Sequence, residues 1–268
     1  VKKFLVPTDF SENAEKALRV AIELAGKVNG HIHLVHAYKL VQRAGSFIGI
    51  EEMMRQDAEK DMQALLEKYR ETQLLGIQMG SSVVKGETKS VISQLTDDLD
   101  IDLVVMGTQG SSGLKEVFIG SVTNNVINKT RIPVLAIPAL CDYKPIERIT
   151  LAIDGKGVED VKIYRPLLEI AAIYESSLSI IHVAESEAES KKPQQELLEL
   201  VAGLKPNVHS IVSDDISEAI TEFVAGDKSD LLCLVKRERG FINSLFHVSQ
   251  TKRSVFYTEV PLLVLRES

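Results

Sequence analysis

The chain has 268 residues, a formal net charge of −7 and no stripe of clustered Lys and Arg, which argues against electrostatic binding to nucleic acid or to an anionic membrane surface. Its two cysteines, Cys141 and Cys233, lie far apart and outside any C-x-x-C spacing, so neither a disulfide framework nor a structural zinc site is signalled and a reducing cytoplasm is the expected setting. The length suggests two domains, and no apolar run approaches the ~18 residues of a membrane span or forms a signal-peptide core.

The first predicted strand, Lys3-Phe4-Leu5-Val6-Pro7-Thr8-Asp9, is apolar and closes on an aspartate. Ser11 is placed to cap a helix in which Ala14, Ala17, Leu18, Ala21, Ile22 and Ala25 recur at three-and-four spacing. A second strand follows over Ile32–Ala37. Residues Tyr38 to Ile50 then read either as an ordinary solvent loop or as a lid, and a long polar helix comes next. The third strand runs from Ile77 to Val84, a helix gathers around Val91, Ile92 and Leu95, and a fourth strand ends Leu103-Val104-Val105-Met106. The fifth is Ile132–Ile137. His31 and His33 share a strand face, but His36 points to the other and no Cys or carboxylate clusters nearby, so hydrogen-bonded structural histidines are expected rather than a metal site.

The whole sequence of elements then repeats. Arg148–Asp154 restates the first strand with its terminal aspartate, and Leu178–Val183, Val208–Ser213, Asp230–Val235 and Val260–Leu265 supply the next four. Pro166 should kink or delay the first helix of this half. Each half is thus β-α-β-α-β-α-β-α-β, expected over 1–140 and 146–268 with a short linker through Cys141 and Pro145. Strands alternating with helices imply parallel pairing by right-handed crossovers, hence a pair of doubly wound, Rossmann-like sheets in the order 3-2-1-4-5, packed as a pseudo-dimer. In such sheets a ligand binds beyond the carboxyl ends of strands one and four, where the order reverses.

At that point the first half carries four glycines, Gly107, Gly110, Gly113 and Gly120, between strand four and the next helix. Glycine permits close backbone approach, so such a loop can aim amide N–H groups at an anion, and a helix opening at Gly120-Ser121 adds its dipole. Ser121 and Thr123 offer hydroxyls. A P-loop, a dinucleotide G-x-G-x-x-G and the acidic pair of a phospho-acceptor receiver are all absent from the sequence.

The spacing Gly107, Gly110, Gly120-Ser121 resembles the G-x2-G-x9-G-[S/T] of ATP-binding universal stress proteins. Val6-Pro7-Thr8-Asp9-Phe10-Ser11, Val35-His36-Ala37 and Leu103–Thr108 are similar to that family too. The likeness is strong over 1 to about 139 and weaker beyond 147. It implies an adenine-nucleotide alpha-hydrolase-like fold and an ATP site. Asp9 would meet the adenine edge, with Pro7 and Thr8 shaping that pocket and Ala37 flanking the base. Met106 and Gly107 would line the ribose, and Gly110, Gly120, Ser121, Val122 and Thr123 would cradle the phosphates. Mg²⁺ or Mn²⁺ would arrive with the nucleotide, and a homodimer and a protein partner are expected possibilities.

In the second half Lys236 faces Gly107 and Val248 faces Gly120, so a family-type cradle is not expected there, although Asp154 persists. No catalytic triad, P-loop lysine or carboxylate pair can be assembled at the first site, so a binding module with at most slow ATP hydrolysis is expected. Two other readings stay open. One is an interaction scaffold that binds no nucleotide, and the other is an enzyme using Lys236, Arg237 and Arg239 on an anionic substrate.

Overall fold

The computed structural model describes residues 2–39, 48–70, 76–110, 120–142, 144–155, 157–184, 193–237 and 259–267. The central glycine-rich stretch 111–119, most of the candidate lid and the basic loop beyond Arg237 therefore lie outside the described residues. The chain forms two compact units that meet in sequence between Ile132 and Pro133.

The first unit winds through β1 (Lys3–Pro7), α1 (Glu12–Val28), β2 (His31–Tyr38), α2 (Ile48–Lys68), β3 (Gln78–Lys85), α3 (Thr88–Asp98), β4 (Leu103–Gly107) and α4 (Ser121–Lys129). β1 pairs in parallel with β2 and with β4, and β2 with β3, giving the order β3-β2-β1-β4. The central strands are buried along nearly their whole length, as an apolar run without alternation requires. Phe4, Leu5, Leu34 and Leu103 are fully enclosed, each worth about 1.5–3 kcal/mol of burial. The side chain of Ser11 caps α1 by accepting the Ala14 N–H at 3.2 Å, and left-handed Asn29 ends the helix. The buried stripe of α1 is wider than its small-residue periodicity suggests. Val20 and Leu24 join it, while Ile22 stays half-exposed at its margin.

The second unit holds β5 (Val134–Ile137), β6 (Arg148–Ile153), α5 (Arg165–Tyr174), β7 (Ser177–Ala184), α6 (Gln195–Leu200), β8 (Asn207–Val212), α7 (Ile216–Gly226), β9 (Leu231–Lys236) and β10 (Leu262–Arg266). Its parallel strands follow the order β8-β7-β6-β9-β10, the full 3-2-1-4-5 pattern. β5 is the fifth strand of the first repeat in sequence, yet it pairs antiparallel with β10 (Leu263↔Leu135). Pro166 delays α5 without kinking it. A 3-10 turn at Val161–Tyr164 precedes the helix and the proline falls in its first turn, where no N–H is needed.

A shared long-range contact marks the repeat. Asp102, just before β4, accepts the N–H groups of Lys2 and Lys3 at 2.7 and 2.9 Å; Asp230, just before β9, accepts those of Glu147 and Arg148 at 3.0 and 2.9 Å. Each carboxylate fastens the start of the first strand of its repeat to the start of the fourth. Among the described residues no helix is long and apolar enough to cross a membrane.

His33 on β2 lies 2.9 Å from the Ser82 hydroxyl on β3, and burial holds its imidazole below the ordinary 6.5. The unfolded chain takes up this proton more readily than the folded one. The contribution is therefore fully present above the unfolded value and is lost as pH falls through the lower folded-state value. Denaturant midpoints followed from about pH 8 down to about pH 5 should show a loss that His33→Gln reduces. An identical pH slope in the variant would contradict this assignment.

Candidate functional site

The site grows from the carboxyl ends of β1 and β4. Thr8 N–H donates to Val35 O at 2.8 Å, so β1 keeps its alignment with β2 one residue past its end. The chain then turns through Phe10 at φ 62, a left-handed conformation uncommon for a bulky residue and typical of functional turns. That turn is fastened from within. Phe10 N–H reaches the Thr8 hydroxyl at 3.0 Å, and Ser11 donates both its N–H and its hydroxyl to one oxygen of Asp9. Ser11 thus caps α1 and aims the Asp9 carboxylate. The Phe10 ring stacks on His36 at 4.7 Å, and His36 Nδ1 lies 2.8 Å from Thr8 O. A carbonyl only accepts, so the proton of neutral His36 sits on Nδ1.

Across the gap, three hydrogen bonds organise the chain after β4. Asn13 Oδ1 accepts the Gln109 N–H at 2.8 Å, Thr108 O accepts the Gly120 N–H at 2.7 Å, and Gly107 O accepts the Thr123 hydroxyl at 2.9 Å. α4 follows Gly120, an N-cap residue with no side chain to accept from its first turn, so that turn presents backbone N–H groups and a positive dipole end. Thr123 is 2% exposed with its hydroxyl committed to Gly107, which leaves its backbone, rather than the hydroxyl read from the sequence, to face a ligand.

All the residues expected from the sequence border a single cleft: Pro7, Thr8 and Asp9 from the first turn, Ala37 from β2, Met106, Gly107 and Gly110 after β4, and Gly120 through Thr123 at the head of α4. His36 and Thr88 border it as well and were not foreseen. A signal existed for His36 alone, through its place beside Ala37. The glycines have a packing role that the phosphate argument did not anticipate. A Cβ on Gly120 would lie 2.6 Å from the Thr108 carbonyl oxygen, one on Gly107 would lie 2.5 Å from Asn13 Oδ1, and one on Gly110 would meet Asp9 Oδ2 at 2.8 Å.

The second unit treats the equivalent position differently. Arg237, directly after β9, reaches Asp154 at 2.9 Å and Glu267 at 2.8 Å, and donates to the Gly157 carbonyl. All three charged side chains are at most 16% exposed. The guanidinium that the sequence offered to an anionic substrate is therefore held between two carboxylates of its own chain. Burial, then the charge of Arg266, pushes the Lys236 ammonium down to about 8. Arg239 and Val248 lie outside the described residues.

Comparison with known proteins places these observations. The model of the universal stress protein family matches residues 1–138. Universal stress protein MJ0577 of Methanocaldococcus jannaschii is 30% identical over 155 residues, which is 51% of this chain and 94% of the relative. Universal stress protein MJ0531 of the same organism is 26% identical over 141 residues, 51% of this chain and 81% of the relative. Among solved structures, a universal stress protein from Archaeoglobus fulgidus superimposes with a TM-score of 0.73 over 99% of this chain and 96% of its own, at 20% identity, a likeness of fold.

Two contrasts follow from the geometry. Gly120→Ala drives a Cβ into a backbone oxygen and should cost about 1–3 kcal/mol in urea denaturation, whereas Gly110→Ala displaces only a carboxylate and should cost less than about 1 kcal/mol. Equal losses would contradict the packing argument. Arg237→Ala should cost about 3 kcal/mol, because it leaves Asp154 and Glu267 without their shared cation. A variant as stable as the parent would mean that the network contributes nothing.

Proposed function

The chain belongs to the universal stress protein family, and on that premise we propose that its N-terminal half binds ATP in this cleft and serves as a regulatory or stress-protective module. The observation that carries the reading is convergence. Residues from β1, β2, β4 and α4, named from glycine spacing and from the family resemblance, border one concavity beside the N-terminus of α4, whose N-cap residue is Gly120.

In this reading Asp9, oriented by Ser11, accepts from the exocyclic amine of adenine, and Ala37 flanks the base. Met106 and Gly107 line the ribose. Gly110 and the first turn of α4 give backbone N–H groups to the phosphates, which the α4 dipole favours. Asp9 is the sole carboxylate bordering the cleft among the described residues. A Mg²⁺ or Mn²⁺ ion would therefore be held chiefly by phosphate oxygens and water, the usual arrangement for a nucleotide-bound ion.

Calorimetric titration of the full chain tests the proposal. The parent should bind ATP in the micromolar range, and Asp9→Ala should weaken binding about tenfold or more while leaving the protein folded. No detectable binding to folded parent protein would overturn it and favour a scaffold of the same fold that binds partners without nucleotide.

A further inference from the structure

Asn13 is a polar residue in the buried stripe of α1, 7% exposed, in a helix turn whose neighbour Ala14 borders the cleft. Its side chain does two things at once. Oδ1 accepts the Gln109 N–H at 2.8 Å, and the amide lies so close to Gly107 that a Cβ there would be 2.5 Å from Oδ1 and 2.8 Å from Cγ. Residues 13 and 107 therefore constrain each other: a side chain at 107 would expel the amide, and an apolar residue at 13 would leave a part-buried N–H without its acceptor. In the second unit Lys236 stands in the place of Gly107, and the residue four past Asp154, Val158, lies in the loop before the 3-10 turn rather than on a helix.

We propose that Asn13 is a positioning residue for the phosphate end of the cleft, fixing Gln109 and so setting the Gly110 amide toward a nucleotide's phosphates. The inference rests on the nucleotide reading above. Mechanically, the described residues that follow β4 and those that open α4 are each anchored. On one side stands the Asn13 amide at Gln109; on the other, the Gly120 N–H bonds Thr108 O at 2.7 Å and the Thr123 hydroxyl bonds Gly107 O at 2.9 Å. The second anchor joins residues of one loop and helix, and Asn13 ties that assembly to α1. Because α1 also carries Ser11, which aims Asp9, one helix terminus sets the base end and the phosphate end of the cleft relative to each other. Donors held in place before binding lose less freedom when they bind, so the benefit should scale with the number of phosphates contacted.

Titrating adenosine, AMP, ADP and ATP into the full chain separates this role from a general structural one. Asn13→Ala should weaken ATP about tenfold, ADP and AMP progressively less, and adenosine by no more than about threefold. Should Asn13→Ala not fold, Asn13→Ser leaves a polar group in the same place that is one bond too short to hold the Gln109 N–H. It should retain adenosine affinity while losing ATP affinity most. Equal losses for adenosine and ATP, or an ATP affinity unchanged in a folded variant, would overturn the positioning role and leave the nucleotide site standing. A parent protein that binds none of the four would overturn both.

Discussion

A parallel sheet that winds outward in both directions from its central pair has connecting segments that leave the two central strands toward opposite faces, so nothing in the winding itself covers the carboxyl ends of that pair. In the first unit the pair is β1 and β4, joined through Phe4↔Leu103 and Leu5↔Val104. Everything at the cleft follows from that pairing. It sets the turn at Asp9 opposite the chain after Gly107, and it brings the heads of α1 and α4 within reach of both. Anchoring Lys2 and Lys3 on Asp102 fixes the other end of the same two strands.

The two units meet this constraint in opposite ways. The first keeps the gap open: Gly107 and Gly120 sit where added side chains would strike Asn13 and Thr108, and the polar groups at the rim are satisfied by one another. The second fills it with Arg237, whose guanidinium lies between Asp154 and Glu267 and bonds the Gly157 carbonyl. Desolvating three charges costs several kcal/mol per ion, and only close, mutually hydrogen-bonded geometry offsets it. An internal cation in this position makes the second gap self-sufficient, whereas the first borders the positive dipole end of α4, which starts after Gly120.

Much of this was readable from the chain because the signals are local. Continuous apolar runs such as Leu103–Met106 mark strands buried on both faces, the Asp9 and Asp154 endings expose the repeat, and glycine spacing picks out Gly107, Gly110 and Gly120. What escaped the reading depends on residues distant in sequence. Asn13 with Gln109, Asp154 with Arg237 and Glu267, and Asp102 with Lys2 each join segments about a hundred positions or less apart that only the sheet order brings together. Periodicity likewise ranked Ile22 above Leu24, since small alanines conceal how wide the buried face of α1 is. Pro166 was legible as a disruption, but its compatibility with a first helical turn depended on the 3-10 segment before it. β5 reads as the close of the first repeat, while its ladder with β10 assigns it to the second compact unit.

The first gap is proposed to take a nucleotide, and its counterpart is closed by the chain's own Arg237. Native mass spectrometry of the full chain titrated with ATP measures this directly by counting ligands per molecule. The account predicts saturation at one nucleotide per chain. Saturation at two, or a chain that stays unliganded while remaining folded, would contradict it.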